Sequence, residues 1–317
     1  MNIDFLIPLL SMAFVLSIPV GLAAVGECIC QRTGLLNLGV EGMMLMGALT
    51  AFLGAFYFDS SWIGVLTGVA GGVSLGILMG VLCISIKAEQ VVSGIVVVLL
   101  SLGLTSYLYG SLFHVGTTPP RIEGLALLHI PLLSNIPVIG PILFQQTSLV
   151  YASLALIVLL SWMLERTSLG LALQAVGEKP EAGDAAGLSV DGLRWFGILI
   201  SSAMAGLGGA VLIIAQLHLF ADHITAGRGW IAIALVIFGR WKPLWVFAGA
   251  LLFGVVDAIQ LKIQVVAGGI DSAIPFELFQ ALPYVITMAV LVLSAMRARR
   301  NAQPSALGIP FIKGQKH

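Results

Sequence analysis

Asp257 is the residue whose type and position could most directly do chemistry in this 317-residue chain. It lies within the apolar run LLFGVVDAIQLKIQVV, where an ionisable side chain is energetically expensive and usually functional. If its carboxylate faces a water-filled path, Asp257 can carry a proton. We favour the structural alternative, an ion pair with another helix, because Lys262 lies five residues on, past the best spacing for a pair within one helix.

A second polar group opens a helix in the glycine-rich stretch GLLNLGVEG, residues 34–42. Asn37 can cap that helix, and Glu41 in its first turn suits the positive end of the helix dipole. Alternatively, an unwound segment that offers an amide and a carboxylate can hydrogen-bond a polar substrate or gate its path. The residue types alone leave both interpretations open.

Gln90, Ser93 and Trp230 are further candidates for contact with a solute. Side-chain amides, hydroxyl groups and an aromatic face are what a neutral, polar, ring-shaped solute requires for binding. Trp230 can equally belong to the belt of tryptophans that sits at a membrane surface.

The sequence does not indicate an enzyme or a metal site. It contains no G-x-x-x-x-G-K-[ST] motif for nucleotide phosphates and no evident pairing of a nucleophile with a base. His218, Asp222 and His223 are too few to predict a metal ion. The three cysteines lack metal-ligand spacing and are expected to be reduced thiols. A net charge of zero gives no indication of nucleic-acid binding.

The composition predicts an all-α, polytopic membrane protein. Hydrophobic residues make up 59% of the chain and charged residues 9%, with a mean hydropathy of +1.05; soluble domains carry about 25% charged residues. Apolar runs long enough to cross a bilayer recur along the chain, and we expect about eight to ten transmembrane helices. The predicted helices are residues 3–25, 40–58, 62–85, 90–112, 147–165, 193–217, 229–239, 244–264 and 279–297.

Glycine spacing predicts one unusually close helix contact. Gly68, Gly72, Gly76 and Gly80 recur every four residues on a single predicted helix. Because small residues at this spacing line one face, they leave a groove in which another helix can approach closely.

The apolar segment from Ile231 to Gly239 is too short to cross a bilayer alone, since a helix rises only about 1.5 Å per residue. We expect a broken helix that uses part of 218–228, with its free backbone groups facing protein or water. A helix, a polar link and an apolar segment occur at 3–58, with the link at 26–39, and again at 193–239, in opposite predicted orientations. This echo predicts inverted-topology repeats whose broken elements meet at a central pathway.

Basic residues predict an N-terminus outside the membrane and a C-terminus in the cytoplasm. If every predicted helix crosses, twelve of the fifteen Lys and Arg residues fall in cytoplasmic loops, as the positive-inside rule requires. These twelve are Arg32, Lys87, Arg166, Lys179, Arg194, Arg240, Lys242, Arg297, Arg299, Arg300, Lys313 and Lys316.

We predict one transmembrane domain over residues 1–300 and a cytoplasmic tail over 301–317. The polar stretch 165–194 carries eight of the chain's thirty charged residues and is placed in the cytoplasm. Its centre, GEKPEAGDAAGLS, predicts a short surface helix with Pro180 near the start and Gly187 at the stop. This stretch is either a helix that binds a partner protein or an ordinary solvated loop. The proline-rich residues 114–146 form the largest outside loop, either a docking surface or a structural lid.

Several stretches, taken in order, resemble a known family of transport proteins. They are GECICQRTGLLNLGVEGMMLMGA (26–48), AVGEKPEAGDAAGL (175–188), GRGWIAIALVIFGRWKPL (227–244), LPYVITMAVLV (282–292) and PSALGIPF (304–311). Each is weak alone, but the ordered set covers most of the chain. It resembles the inner-membrane permeases of ABC importers of the branched-chain amino acid, simple sugar and nucleoside type, and most of all the shorter permease subunit of nucleoside importers.

The resemblance implies a permease fold like that of type II ABC importers, in the inner (plasma) membrane of a bacterial cell. It implies transport of nucleosides or simple sugars, no cofactor bound by this chain, and ATP bound by a partner. Expected partners are an ATP-binding cassette ATPase, a second permease that forms a heterodimer, an extracytoplasmic solute-binding protein and the lipid bilayer.

The resemblance also assigns functional residues. NLGVEGMM matches a family motif, which favours a functional role for Asn37 and Glu41. The polar stretch 165–194 then corresponds to the loop that couples the permease to its ATPase. The expected coupling residues are Gly177, Glu178, Pro180, Glu181, Ala182, Ala186 and Gly187.

Two other classes of protein compete with this interpretation. A secondary transporter with Asp257 as its proton carrier would need no ATPase, and its transport would collapse when Asp257 becomes Asn. A membrane enzyme or assembly factor is disfavoured because no catalytic pair stands out.

Overall fold

The computed structural model describes residues 3–113, 119–129, 134, 136–267, 281, 284–289, 292 and 303–313. Nearly all of the regular structure in this part of the chain is helical. The helices are α1 (Ile3–Arg32), α2 (Val40–Phe58), α3 (Ser61–Gly80), α4 (Gln90–Leu112), α5 (Ile139–Leu143), α6 (Ser148–Arg166), α7 (Ser168–Glu178), α8 (Pro180–Ala185), α9 (Val190–Val211), α10 (Arg228–Phe238) and α11 (Pro243–Ala267). Helices α3 and α9 each continue into π-helical turns, Val81–Ser85 and Leu212–Leu217. Strands β1 (Leu127–His129) and β2 (Gln145–Thr147) pair antiparallel.

Seven helices among the described residues are long and apolar enough to cross a membrane. They cover Leu6–Arg32, Val40–Phe58, Ser61–Ser85, Gln90–Leu112, Ser148–Arg166, Val190–Leu217 and Pro243–Gln264. The apolar helix α10 is shorter, at 11 residues. Most of the predicted helix 279–297 lies outside the described residues. The prediction of an all-α, polytopic membrane protein is therefore confirmed.

The first helix ends later than the sequence predicts. Helix α1 continues to Arg32 instead of stopping at residue 25, so the polar link is 33–39 and not 26–39. The prediction was wrong because it treated the polar residues after position 25 as the end of an apolar span. Glu27 and Gln31 are one turn apart and buried, and the Gln31 Nε2 donates a hydrogen bond to the Glu27 Oε1 at 2.9 Å. A polar pair that is satisfied in this way can remain inside a buried helix.

The polar stretch 165–194 is more ordered than its composition indicates. Helix α8 begins with Pro180 at its first position, as predicted, because proline has no N–H to contribute there. Gly187, just after the helix, has a φ of +85°, a left-handed conformation that glycine adopts without strain. A second helix, α7, was not predicted; its Leu173 and Val176 are fully buried.

Helix α9 is the central helix of the described bundle and packs against α1, α2 and α3. It runs antiparallel to α1, since Gly197 lies against Cys30 and Thr33, whereas Gly208, farther along α9, lies against Pro19. These contacts place the second half of α1 along α9 between Gly197 and Gly208.

The glycine row on α3 forms the close contact that its spacing predicts. A Cβ on Gly72 would lie 2.6 Å from the Gly206 Cα on α9, and one on Gly68 would lie 3.0 Å from the Gly47 carbonyl oxygen on α2. A Cβ on Gly47 would in turn lie 2.5 Å from the Gly206 Cα. Three backbones therefore meet at Gly206, where no side chain fits between them.

The helix directions give the bundle two distinct ends. The α8 end holds the last residue of α1, Arg32, and the first turn of α9, near residue 190. The opposite end holds the start of α1 and residue 217, where α9's π-helical extension finishes. Since successive spans alternate in direction, several basic residues lie toward the α8 end: Arg32, Lys87, Arg166, Lys179, Arg194, Arg240 and Lys242.

Helix α10 is a half-span that starts near the middle of the bundle. Its first turn meets the first turn of α2, because a Cβ on Gly229 would lie 2.5 Å from the Glu41 Cα. Just beyond its other end, the Trp241 carbonyl oxygen accepts a hydrogen bond from the Arg32 Nε at 2.9 Å, at the α8 end. Eleven residues span only about 16 Å, roughly half of a bilayer's hydrocarbon core.

The two broken motifs run in opposite directions. The first comprises α1, the link 33–39 and α2, and it starts at the end opposite α8. The second comprises α9, the link 218–227 and α10, and it starts at the α8 end. The starts of α2 and α10 meet inside the bundle, as the sequence echo predicts for inverted repeats.

Gly72→Ala is expected to destabilise the protein by about 1–3 kcal/mol, because the added methyl group forces two helix backbones apart. Thermal unfolding of the detergent-purified protein measures the loss. Gly103→Ala is the matched control, because a Cβ at Gly103 on α4 meets nothing within 4 Å. Equal unfolding temperatures for the two variants would contradict the three-helix contact.

Candidate functional site

Glu41 holds the start of the broken helix α10. The Oε1 of its carboxylate accepts hydrogen bonds from the Thr225 hydroxyl at 2.6 Å and the Gly227 N–H at 2.9 Å, and its Oε2 accepts one from the Gly229 N–H at 2.6 Å. Glu41 is only 6% exposed. The carboxylate thus sits at the positive end of another helix, where the exposed N–H groups of α10 need acceptors.

Asp257 forms an ion pair with a different helix, as we favoured from the sequence. Its Oδ2 lies 3.3 Å from the Nη2 of Arg228, the first residue of α10. The Arg228 Nη1 also reaches the Thr225 carbonyl oxygen at 3.4 Å. With side chains only 18% and 9% exposed for Arg228 and Asp257, this pair ties α11 to the start of α10.

Asn37 joins a buried network that fastens the other broken segment, 33–39. The Asn37 N–H donates to the Glu27 Oε1 at 3.1 Å, and its Nδ2 donates to the Ser201 hydroxyl at 3.1 Å. The Ser201 hydroxyl donates to the Glu27 Oε2 at 2.9 Å. All three residues are fully buried. The Asn37 Oδ1 accepts a hydrogen bond from the Gly39 N–H at 3.0 Å, so the side chain also stabilises the turn into α2.

Two more side chains extend this network to the end of α10. Gln31 donates to Glu27 and accepts a hydrogen bond on its Oε1 from the Trp241 Nε1 at 2.7 Å. Trp241 lies three residues after the end of α10, so the network centred on Glu27 joins the link 33–39 to the segment that leaves α10. Both broken motifs are therefore held by a buried glutamate, Glu27 in one case and Glu41 in the other.

Gln90 also holds the link 33–39. Its Oε1 accepts a hydrogen bond from the Leu36 N–H at 2.7 Å. The side chain is 2% exposed, and its Nε2 has no hydrogen-bond partner among the described residues. This Nε2 is a buried donor without an acceptor in the present arrangement.

The remaining candidates from the sequence lie apart from these networks. The Ser93 hydroxyl bonds to the Glu89 carbonyl oxygen within its own helix, at 2.7 Å. Trp230, in the first turn of α10, is 42% exposed. The Asp222 Oδ1 accepts a hydrogen bond from Ser106 at 2.9 Å. Across the described residues, no three His, Cys, Asp or Glu side chains gather as metal ligands would.

Some of the residues expected to couple to an ATPase are exposed to solvent, and the others are buried against the protein. Five of them are exposed: Glu178, Glu181, Ala182, Ala186 and Gly187. Gly177 and Pro180 are buried. Gly177 packs so closely against the Arg32 carbonyl oxygen that a Cβ there would overlap it. The exposed face of α8 is thereby fixed to the end of α1.

Sequence reasoning missed Glu27, Gln31, Ser201 and Trp241. The one available signal was the spacing of Glu27 and Gln31, which places both side chains on one face of a helix. Ser201 and Trp241 gave no local signal, because their partners lie 174 and 210 residues away along the chain.

The fold and these networks define a multi-pass membrane protein with two broken helical motifs, inverted relative to each other and meeting at its centre. A solved inward-facing structure, provisionally described as a metal-chelate type ABC transporter, has the same fold, with a TM-score of 0.52. The match covers 89% of this chain and 84% of that one, at 16% sequence identity.

Sequence comparison identifies the family. The profile of the family described as "Branched-chain amino acid transport system / permease component" matches residues 9–294. The chain belongs to this family of transport-system permease components.

Individual relatives match along nearly their full length. A Haloferax volcanii protein, provisionally named glucose ABC transporter permease protein TsgC13, is 37% identical, covering 90% of this chain and 92% of the relative. The nucleoside ABC transporter permease protein NupC of Lactococcus lactis is 34% identical, over 94% and 95%. The guanosine ABC transporter permease protein NupQ of Bacillus subtilis is 32% identical, over 94% of each chain.

Glu41→Gln is expected to lower the free energy of unfolding by about 2 kcal/mol, because a neutral amide replaces a buried, charged acceptor of three hydrogen bonds. Thermal unfolding in detergent measures the change. The control is Glu89→Gln, since Glu89 caps α4 in the same way through the Val91 and Val92 N–H groups but is exposed. There the expected loss is below about 1 kcal/mol. Equal losses of unfolding free energy in the two variants would show that burial of the Glu41 carboxylate does not strengthen its hydrogen bonds to α10.

Asp257→Asn is expected to destabilise the protein because it leaves the largely buried Arg228 guanidinium without its counter-ion. The double variant Asp257→Asn/Arg228→Gln is expected to recover most of the lost stability and transport. Unfolding temperature and solute uptake are measured side by side. A proton carrier at position 257 predicts the opposite, namely abolished uptake in both variants despite the recovered stability.

Proposed function

We propose that this chain is the permease subunit of an ATP-driven importer for nucleosides or simple sugars, and that a partner ATPase binds and hydrolyses the ATP. Family membership supports the permease role. The names of the relatives, which specify nucleosides, guanosine and glucose, support the substrate class. The few charged side chains within the spans favour a neutral solute over an ionic one.

The observation that carries the proposal is the construction of α8. The helix is only six residues long, yet Gly177 and Pro180 anchor it while Glu181 and Ala182 face solvent. One side of this short helix packs against the protein, and its other side is exposed to solvent. Such an arrangement is suited to binding a soluble partner. We assign the ATPase contact to this exposed face.

This assignment sets the orientation of the chain. The α8 end would face the cytoplasm, where ATP is available, and the start of α1 would face the outside of the plasma membrane. Eight described basic residues toward the α8 end, the seven named above and Lys313, agree with the positive-inside rule. A solute-binding protein would then dock at the opposite end, beside the segment that contains β1 and β2.

The transport cycle requires at least two arrangements of the helices. ATP can shift the equilibrium only if the ATPase binds one arrangement of α8 more tightly than the other. Movement of α8 would pass to α1 through Gly177 and to α9 through the short connection after Gly187. The two glutamate networks would then hold each broken segment in one arrangement or release it.

We divide the pathway candidates by role. Asn37, Glu41 and Asp257 position the broken segments, because their polar atoms are already engaged with protein partners. Trp230 offers an exposed aromatic face for a ring-shaped solute. The Gln90 Nε2 becomes available to a solute only when the link 33–39 moves.

A second permease subunit fits the remaining surface. Helices α3, α4 and α6 carry exposed apolar side chains, among them Leu66 at 69%, Leu99 at 62% and Val158 at 60%. Surfaces of this kind face either lipid or another apolar protein. We propose that they are shared between the bilayer and a second, non-identical permease.

Glu181→Arg is expected to abolish copurification of the ATPase from native membranes, because it places the opposite charge at the centre of the exposed α8 face. Quantitative mass spectrometry of the tagged chain's partners measures the loss. Glu165→Arg is the control, with the same charge change on an exposed residue of the same polar stretch, at the end of α6. If both variants retain the ATPase, α8 is not the docking surface.

A further inference from the structure

The segment 303–313, here called the C-terminal strap, binds back onto two other parts of the chain. The Ala306 N–H donates to the Gly177 carbonyl oxygen at 2.9 Å, at the end of α7. The Gly308 N–H donates to the Gly34 carbonyl oxygen at 3.1 Å, in the link 33–39. Through these two backbone hydrogen bonds, the strap connects the end of α7 to the link 33–39 that follows α1.

Side chains reinforce the attachment on the α7–α8 side. The Glu178 Oε2 accepts hydrogen bonds from the Ser305 hydroxyl at 2.9 Å and the Ser305 N–H at 3.3 Å. Phe311 is 9% exposed and packs with Val176 of α7 and Val190 of α9. Burial of an aromatic side chain is the largest of these contributions, since each such ring removes well over about 100 Å² from water.

Charge also links the strap to α8 itself. The Lys313 Nζ lies 3.4 Å from the Asp184 Oδ1. Because Lys313 is 80% exposed, this pair contributes little to stability. The pair places the last described residue of the strap beside α8.

The junction beneath the strap is tightly packed. A Cβ on Gly34 would lie 3.1 Å from the Ala306 carbonyl oxygen and 3.2 Å from the Arg194 Nη2, and Gly34 has a φ of +83°. Gly177 lies against the Arg32 carbonyl oxygen on the other side. The link, α7 and the strap therefore cannot slide past one another without opening the junction.

The buried guanidinium of Arg194 favours a second arrangement of this junction, in which its N–H groups have hydrogen-bond partners. The residue is 2% exposed, and neither its Nε nor its Nη2 has a hydrogen-bond partner in the described part of the chain. A buried guanidinium with unsatisfied N–H groups is costly. A shift of Gly34 or Ala306 that brought a carbonyl oxygen or water to Arg194 would relieve this cost.

We propose that the C-terminal strap is the positioning element that makes α7, α8 and the link 33–39 move as one unit. When α8 moves, the strap moves Gly34, and the shift reaches the Leu36 and Asn37 N–H groups that Gln90 and Glu27 hold. Ser305, Gly308 and Phe311 are its positioning residues. The inference rests on the proposed function, because it assigns a route for the movement that the ATPase imposes on α8.

The first test uses hydrogen exchange in the purified full-length chain. In Ser305→Ala/Phe311→Ala, peptides that cover residues 35–40 are expected to exchange about 10-fold faster, although no strap residue bonds to those amides. Ile309→Ala is the control, because Ile309 belongs to the strap but is 41% exposed. Ser305→Thr keeps the hydroxyl group and should exchange at the native rate. Faster exchange in the strap alone, with residues 35–40 unchanged, would overturn the proposal.

The second test separates coupling from docking in the assembled complex. The native and variant permeases are reconstituted with their copurified ATPase and binding protein, and uptake of labelled guanosine or glucose is measured per ATP hydrolysed. The double variant is expected to retain the ATPase and its hydrolysis rate while uptake per ATP falls about 10-fold. An unchanged ratio overturns the proposal, as does loss of the ATPase from the variant alone. If no ATPase copurifies with the native chain either, the proposed function is wrong. The hydrogen-exchange measurement does not depend on the ATPase, and it still decides whether the strap joins α7 to the link 33–39.

Discussion

The structure depends on giving hydrogen-bond partners to backbone groups where helices break inside an apolar bundle. An unsatisfied N–H group in such surroundings costs several kcal/mol, so broken segments persist only when protein or water satisfies them. Glu27 accepts from the link 33–39, and Glu41 accepts from the start of α10. Glu41 belongs to the first broken motif and accepts from the second, and Glu27, also in the first motif, accepts a hydrogen bond from Ser201 of the second, so the two motifs are tied together at their breaks.

Close backbone packing around α9 supports these breaks. Gly206 meets Gly47 and Gly72 with no side chains between them, and this contact fixes the positions of α2 and α3 relative to α9. Ser201, which bonds to Glu27, lies little more than one turn away on the same helix. Because the glycine contact is rigid, the hydroxyl of Ser201 is held where the network needs it.

The α8 end of the bundle combines a solvent-exposed helix face with closely packed residues beneath it. The exposed face of α8 leaves room for a partner, whereas Gly177, the strap and Phe311 connect that face to the link 33–39. Packed interfaces of this kind switch between discrete arrangements and do not deform continuously. The Gln90 Nε2 and the Arg194 Nη2, which have no hydrogen-bond partner among the described residues, both belong to side chains that contact the link, at Leu36 and Gly34 respectively.

The sequence by itself determined the features that depend on local pattern. Long apolar runs gave the membrane spans, Pro180 and Gly187 gave the limits of α8, and the glycine row on α3 gave a close helix contact. The sequence also predicted that Asp257 pairs with another helix, and the family followed from short ordered motifs. It placed the end of α1 wrongly, because a polar run normally ends an apolar span.

Only the tertiary structure decided which residues satisfy the two breaks and how α8 is anchored. Glu27 and Ser201 are 174 residues apart along the chain, and Gly34 and Gly308 lie at opposite ends of it. Local propensity carries no information about partners at such separations, because they meet only after the helices have packed. The physical reason is that hydrogen-bond satisfaction inside an apolar bundle is a property of the whole arrangement, not of any one segment.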